Sequence, residues 1–128
     1  MKLPRWLPFA FFALYGAGAL RMALVDVFAG AYFASTTAWG LAPGWLREIA
    51  AFDVLVAYLC WRALRASPAS ELRSPLSAGL ALLSFLIAAN NANAFFASGI
   101  AAHIPNAAIH GLACAAGVAV AGAAPIAP

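Results

Sequence analysis

Long apolar runs, separated by short polar segments, organise the whole chain. Four runs approach the ~20 residues that an α-helix needs to cross a bilayer, at about residues 7–33, 49–64, 76–97 and 105–124. Each run is apolar on all sides and does not alternate with a period of two, as a membrane β-barrel would require. Prolines and glycines punctuate the short connections. The sequence therefore predicts an all-α, integral membrane four-helix bundle with antiparallel neighbours, in a single transmembrane domain covering residues 1–128.

The composition agrees with this class. Of the 128 residues, 66% are hydrophobic and only 9% are charged, and the mean hydropathy is +0.92. The chain carries no CxxC, no GxSxG, no glycine-rich phosphate loop and no nucleic-acid-binding motif. We therefore expect no hydrolytic or phosphoryl-transfer chemistry, no nucleic-acid partner, and no catalytic activity of the chain by itself.

The basic residues predict an orientation, because Lys and Arg in short loops accumulate on the cytoplasmic side. A cytoplasmic N-terminus places most of them inside: Lys2, Arg5, Arg62, Arg65 and Arg73. Of the loop charges, only Arg47, next to Glu48, is then left outside. Both termini are therefore predicted to be cytoplasmic, in a multi-pass protein of a bacterial inner membrane.

Polar side chains recur inside the predicted spans at similar depths. In this topology they lie at mid-helix or in the outer half of the bundle: Arg21, Asp26, Asp53, Asn90, Asn91, Asn93 and His110. Ionisable groups inside a bilayer are costly, by ~2.5–3.5 kcal/mol on insertion scales, and usually face the protein interior or water. We expect these residues to line one polar cavity, with Arg21 near its floor. The structural alternative is an Arg21–Asp26 ion pair with asparagines that bond between helices.

The fourth predicted helix contains the most specific local pattern, HIPNAAIHGLAC. Its polar residues, His103, Asn106, His110 and Cys114, recur at spacings of three and four and would share one stripe of the helix. The two histidines are separated by about 10 Å along the axis, so one metal ion cannot bind both. A metal held by His110 with Asp53 or Asp26 is chemically reasonable for zinc or copper, but the spacing does not require it.

The cofactor is left undetermined by these patterns. A haem with two axial histidines from this chain is not expected, because His110 is the only deep histidine. Two cofactors remain possible: a haem bound jointly with another subunit, and a quinone bound against the aromatic side chains of the first helix. Helix four also contains pairs of small residues at a spacing of four: Gly111 with Ala115, and Gly117 with Ala121. Such faces let helices approach closely and predict a packing interface, within the chain or with another subunit.

The segment LRMALVDVFAGAYF resembles the first-helix pattern of the DoxX-like family of small four-helix membrane proteins. The matching positions are Arg21, Phe28 and Gly30, whereas the second predicted helix, REIAAFDVLVAYLCW, lacks the glycines of that family. Some members are described as quinol-oxidase subunits, so the resemblance implies association with an electron-transfer complex. Two hypotheses follow. The chain is a small accessory or assembly subunit of a larger membrane complex, or it is a small-ligand, quinone or metal-binding module that uses the outer polar site.

Overall fold

A computed structural model describes residues 3–4, 6–30, 43–67 and 70–123. These residues form four α-helices: α1 (Trp6–Phe28), α2 (Pro43–Arg65), α3 (Arg73–Ser98) and α4 (His103–Ala121). The predicted all-helical class is therefore confirmed. The predicted continuation of the first helix through residues 31–33 lies outside the described residues. The other three helices begin earlier than the apolar runs indicate.

The earlier starts have a common cause in the prolines near the helix beginnings. Pro75 and Pro105 each occupy the third position of a helix, as Pro8 does in α1. The N–H groups of the first turn have no intrahelical partner, so a proline anywhere in that turn breaks no hydrogen bond. The prediction had treated Pro105 as the first helical residue. α3 ends at Ser98, and the Gly99 that follows adopts a left-handed φ of 70° and donates its N–H to the Phe95 carbonyl at 2.7 Å.

The helices associate in two pairs, α1 with α2 and α3 with α4. In the second pair, the Ser74 hydroxyl near the start of α3 donates to the Ala121 carbonyl at the end of α4, at 3.0 Å. The two pairs are linked through Arg73, whose guanidinium donates to the Ala63 carbonyl at 3.1 Å and the Ala66 carbonyl at 2.9 Å. Those carbonyls lie at the end of α2, where the last backbone carbonyls of a helix have no N–H partner within the helix. Arg73, at the start of α3, therefore caps the C-terminal end of α2.

A buried apolar cluster draws on all four helices near the start of α1: Phe11, Phe12, Cys60, Ala63, Leu80 and Val120. Gly117 of α4 packs against α3 within its own pair and against α1 of the other pair. A Cβ there would lie 2.9 Å from the Ala81 Cβ and 3.1 Å from the Phe11 ring. Glycine therefore sets how closely the two pairs can pack, because any side chain would force its neighbours apart.

The exterior of the described chain is apolar. Large hydrophobic side chains are exposed on every helix, among them Leu14, Phe28, Phe52, Phe85, Phe96 and Leu112. Three helices, α1, α3 and α4, are long and apolar enough to cross a membrane. α2 has 23 residues, as α1 does, but it carries charges near both ends and Asp53 between them. The prediction of a membrane protein is thus supported: three of the four predicted spans have the length and the apolar composition that crossing a membrane requires.

Candidate functional site

A hydroxyl pair joins the two helix pairs near mid-helix. The Tyr15 hydroxyl of α1 lies 2.9 Å from Ser84 Oγ of α3 and donates to the Leu80 carbonyl at 3.3 Å. Since a phenol has one hydrogen, this geometry makes Ser84 the donor to Tyr15. Tyr15 is half-buried and Ser84 is fully buried, so this contact lies inside the protein.

The Tyr15–Ser84 contact separates two regions that differ in chemistry. We call the side toward the α3–α4 turn the polar half, with Asp26, Asp53, Asn91, His103 and His110. We call the other side the basic half, with the apolar cluster and, at its end, Arg62, Arg65 and Arg73. The predicted polar site falls in the polar half, and its members occupy quite different environments there.

The two helices of the first pair each carry one aspartate in the polar half. Asp26 of α1 is only 5% exposed, and its Oδ1 atom has no hydrogen-bond partner. Asp53 of α2 is half-buried. Arg21 is exposed, with its guanidinium 4.0 Å from the Met22 sulfur, and within the described part of the chain it forms no ion pair with Asp26. The polar half therefore holds a buried carboxylate oxygen, Asp26 Oδ1, with no cationic partner among the described residues.

A buried hydrogen bond ties the end of α3 to the start of α4. Asn91 Oδ1 lies 2.9 Å from His103 Nδ1, and the Asn91 amide nitrogen donates to the Ile87 carbonyl at 2.9 Å. Because the amide oxygen can only accept, the His103 Nδ1 atom carries the hydrogen. His103 is fully buried, whereas Asn90 and Asn93 are exposed. Of the three asparagines, the structure thus turns Asn91 inward and the other two outward.

His110 is half-buried on α4, one turn before Cys114 on the same stripe. Its Nδ1 atom is buried and has no hydrogen-bond partner. Among the described residues, no group of three or more His, Cys, Asp or Glu side chains converges as a metal site would require. The pairing of His110 with an aspartate around a metal stays a prediction.

The predicted small-residue interface on α4 divides between two environments. Gly117 is buried against α3 and α1, and Ala121 is half-buried beside it. Gly111 and Ala115 are exposed, and a Cβ at Gly111 would meet no atom within 4 Å. Gly117 and Ala121 therefore pack against other helices of the chain, whereas Gly111 and Ala115 face outward.

Sequence reasoning did not single out the serines of α3. Ser77 and Ser84 are both fully buried, and Ser77 donates to the Arg73 carbonyl at 2.6 Å. Their separation of seven residues places them on one face of an otherwise apolar helix, a signal that was readable in advance. Tyr15 is one of the aromatic side chains of the first helix that could contact a quinone, yet its hydroxyl forms hydrogen bonds inside the protein.

The described helices and their polar interior define the class of this chain, a small α-helical membrane protein with polar side chains between its helices. Comparison with protein-family models, curated proteins and solved structures finds no match to it. Of the positions that suggested a DoxX-like first helix, Arg21 and Phe28 are exposed, and Gly30 lies against Leu46 of α2, where a Cβ would come within 2.6 Å of the leucine Cδ1.

Proposed function

We propose that this chain is a small accessory or assembly subunit of a larger complex in a bacterial inner membrane. The observation that carries the proposal is a set of polar side chains on the outside of membrane-spanning helices: Arg21, Asn90 and Asn93. Lipid tails offer no hydrogen-bond partners, so such groups normally face protein or water. A neighbouring polypeptide can supply the hydrogen-bond partners that lipid tails lack.

The outward part of the α4 stripe supports the same proposal. Gly111 and Ala115 leave open space on the helix surface, and small residues at this spacing permit close approach of a second helix. Helix association in lipid depends on such packing and on interhelical hydrogen bonds, because burial of apolar surface gives no advantage there. The chain offers both kinds of contact on its exterior.

The proposed topology has four antiparallel spans, with both termini in the cytoplasm. It is supported by the grouping of Arg62, Arg65 and Arg73 at one end of the molecule, the end that the positive-inside rule assigns to the cytoplasm. Trp61 is half-exposed at the same end, with the Arg65 guanidinium 5.3 Å from its ring centroid, as in the aromatic belt of a membrane interface. The resemblance of α1 to DoxX-like proteins would make the partner an electron-transfer complex.

Purification in mild detergent tests the proposal. We expect the tagged wild-type chain to migrate with larger membrane subunits in a constant ratio across the elution peak. The variants Arg21→Leu and Asn90→Leu/Asn93→Leu should lose those subunits and still elute as folded protein. Leu24→Ala, which alters an exposed apolar position of α1, is the matched control and should retain them. Migration of the wild type as a monomer or as a homo-oligomer alone would contradict an accessory role.

A second candidate function is a small-ligand module. The observation that favours it is the pair of buried polar atoms without partners in the polar half, Asp26 Oδ1 and His110 Nδ1. In this case the chain would purify alone with a bound ligand, such as a quinone, that native mass spectrometry or solvent extraction reveals. Asp53→Asn should release that ligand without unfolding the protein.

A further inference from the structure

A groove runs along the surface between α1 and α2, from mid-helix to the basic end of the molecule. Its volume is about 220 Å³, and its lining is apolar, with Gly16, Ala17 and Leu20 of α1 and Trp61 and Leu64 of α2 among the residues that form it. The two helices meet closely at its floor, because a Cβ at Gly16 would lie 3.0 Å from the Cys60 Cβ. The small side chains of α1 keep the groove open above this contact.

The groove has the direction and the length of a lipid acyl chain. On α1 it extends over residues 12–20, about 12 Å at a rise of 1.5 Å per residue. One leaflet contributes about 15 Å, half of the ~30 Å hydrocarbon core. A chain that lies parallel to the two helices can therefore fill the groove over most of the depth of one leaflet.

Two arginines stand at the basic end of this groove. The Arg65 guanidinium carbon lies 5.3 Å from the ring centroid of Trp61, which lines the groove. Arg62 donates to the Tyr58 hydroxyl at 3.1 Å, and the rings of Tyr58 and Trp61 are 5.8 Å apart. Both arginines are exposed, and within the described part of the chain neither forms an ion pair. Their positive charges are therefore left without an anionic partner.

The other charged groups of the α2–α3 connection do not change this balance. Arg73 is bound to the carbonyls of Ala63 and Ala66. Glu71 is exposed, and among the described residues it forms no ion pair with either arginine of the groove. A tryptophan beside arginines at a helix end is typical of the depth of lipid headgroups. A phosphate group at that depth supplies the missing negative charge.

We propose that the groove binds one anionic phospholipid, with an acyl chain along α1 and α2 and the headgroup phosphate at Arg62 and Arg65. Guanidinium groups match phosphate oxygens through paired N–H donors. A zwitterionic lipid carries a cation of its own, which the two arginines repel, so the site should prefer an anionic headgroup. The groove lies apart from Arg21, Asn90 and Asn93, on which the accessory role rests. Lipid binding and the accessory role can therefore fail separately.

Native mass spectrometry of the tagged full chain, with any subunits that accompany it, tests the headgroup preference. The probes are phosphatidylglycerol and phosphatidylcholine with the same acyl chains, added to the protein in detergent. We expect preferential retention of phosphatidylglycerol, and a loss of affinity of about fivefold for each arginine removed in Arg62→Gln/Arg65→Gln. Arg47→Gln, which changes an exposed arginine at the opposite end of α2, is the matched control and should bind like the wild type. Equal retention of both lipids by the wild type, or an unchanged preference in the double variant, would overturn the proposal.

The variant Ala17→Leu tests the position of the acyl chain. A leucine there would occupy the groove and should weaken the binding of phosphatidylglycerol, whereas Ala51→Leu, at an exposed position of α2 outside the groove, should not. Equal effects of the two substitutions would refute the groove as the chain site. Competition by inorganic phosphate alone would identify an anion site that needs no lipid and would also refute the proposal. Gel filtration and thermal unfolding of each variant establish that it is folded.

Discussion

The basic half and the polar half of the chain satisfy their polar groups in different ways. In the basic half, Ser74, Ser77 and Arg73 all bond to backbone carbonyls and fasten helix ends around an apolar cluster. In the polar half, Asn91 and His103 bond to each other, yet Asp26 and His110 each keep a buried atom without a partner. Fully bonded polar groups hold a fold together, whereas unbonded ones are retained at a cost in stability. We therefore expect substitutions of these bonded groups in the basic half to change mainly the stability of the protein, and substitutions of the unbonded groups in the polar half to change mainly its function.

The largest expected effect concerns the side of the membrane on which each half lies. With four spans and a cytoplasmic N-terminus, a Cys at Ser70, in the α2–α3 connection, should be inaccessible to a membrane-impermeant maleimide in spheroplasts. A Cys at Ala101, in the exposed α3–α4 turn, should be labelled. The wild-type chain, whose only cysteines are Cys60 and Cys114, measures the background.

The reverse labelling pattern would contradict this topology. It would arise if α2 lay along the membrane surface, because α3 and α4 would then cross in the opposite directions. The charges of α2 make this alternative worth testing, but its 23 residues extend about 34 Å, enough to cross the ~30 Å hydrocarbon core. Arg62 and Arg65 at its end can extend toward the headgroups. We therefore expect α2 to span.

Disruption of the basic half should follow from a side chain at Gly117. A leucine there would collide with Ala81, Phe11 and the Ser77 carbonyl, and overpacking of this kind costs about 1–3 kcal/mol or more. We expect Gly117→Leu to lower the thermal unfolding temperature in detergent, followed by intrinsic tryptophan fluorescence. Gly111→Leu is the matched control, since that position on the same helix faces open space. Equal effects of the two substitutions would show that helix α4 does not pack through Gly117.

The sequence predicted the helical class because long apolar runs report burial in lipid directly. It placed the polar residues of four helices at similar depths, but it could not choose among neighbours on one helix. Asn90, Asn91 and Asn93 share a depth, and only their angle around α3 turns Asn91 inward. That angle is set by contacts such as Gly117 with Ala81, between residues far apart in the sequence. When a helix is apolar on all sides, its sequence does not indicate which face points toward the other helices.

Loss of the Asn91–His103 hydrogen bond should have an intermediate effect on the polar half. A double-mutant cycle with Asn91→Ala and His103→Ala should give a coupling free energy of about 1–2 kcal/mol, the upper part of the range for polar contacts in membranes. Unfolding in a detergent mixture of increasing denaturing strength provides the measurement. Asn90→Ala removes an exposed amide one residue away and should not couple to His103. An absence of coupling between Asn91 and His103 would show that their hydrogen bond does not stabilise the polar half.

The smallest expected effect lies at the boundary between the halves, where Tyr15 meets Ser84. Tyr15→Phe removes the hydroxyl that accepts from Ser84 and donates to the Leu80 carbonyl. Ser84 is four residues after Leu80, so its freed hydroxyl can donate back to the Leu80 carbonyl within α3, and little bonding is lost. We expect destabilisation of about 0.6 kcal/mol, the average for interhelical hydrogen bonds in membranes. The control Tyr58→Phe affects a hydroxyl that accepts from Arg62 on the exposed surface of α2, at 3.1 Å, and should change stability less. A loss of several kcal/mol for Tyr15→Phe would mean that the boundary hydroxyls, and not the basic half alone, hold the two helix pairs together.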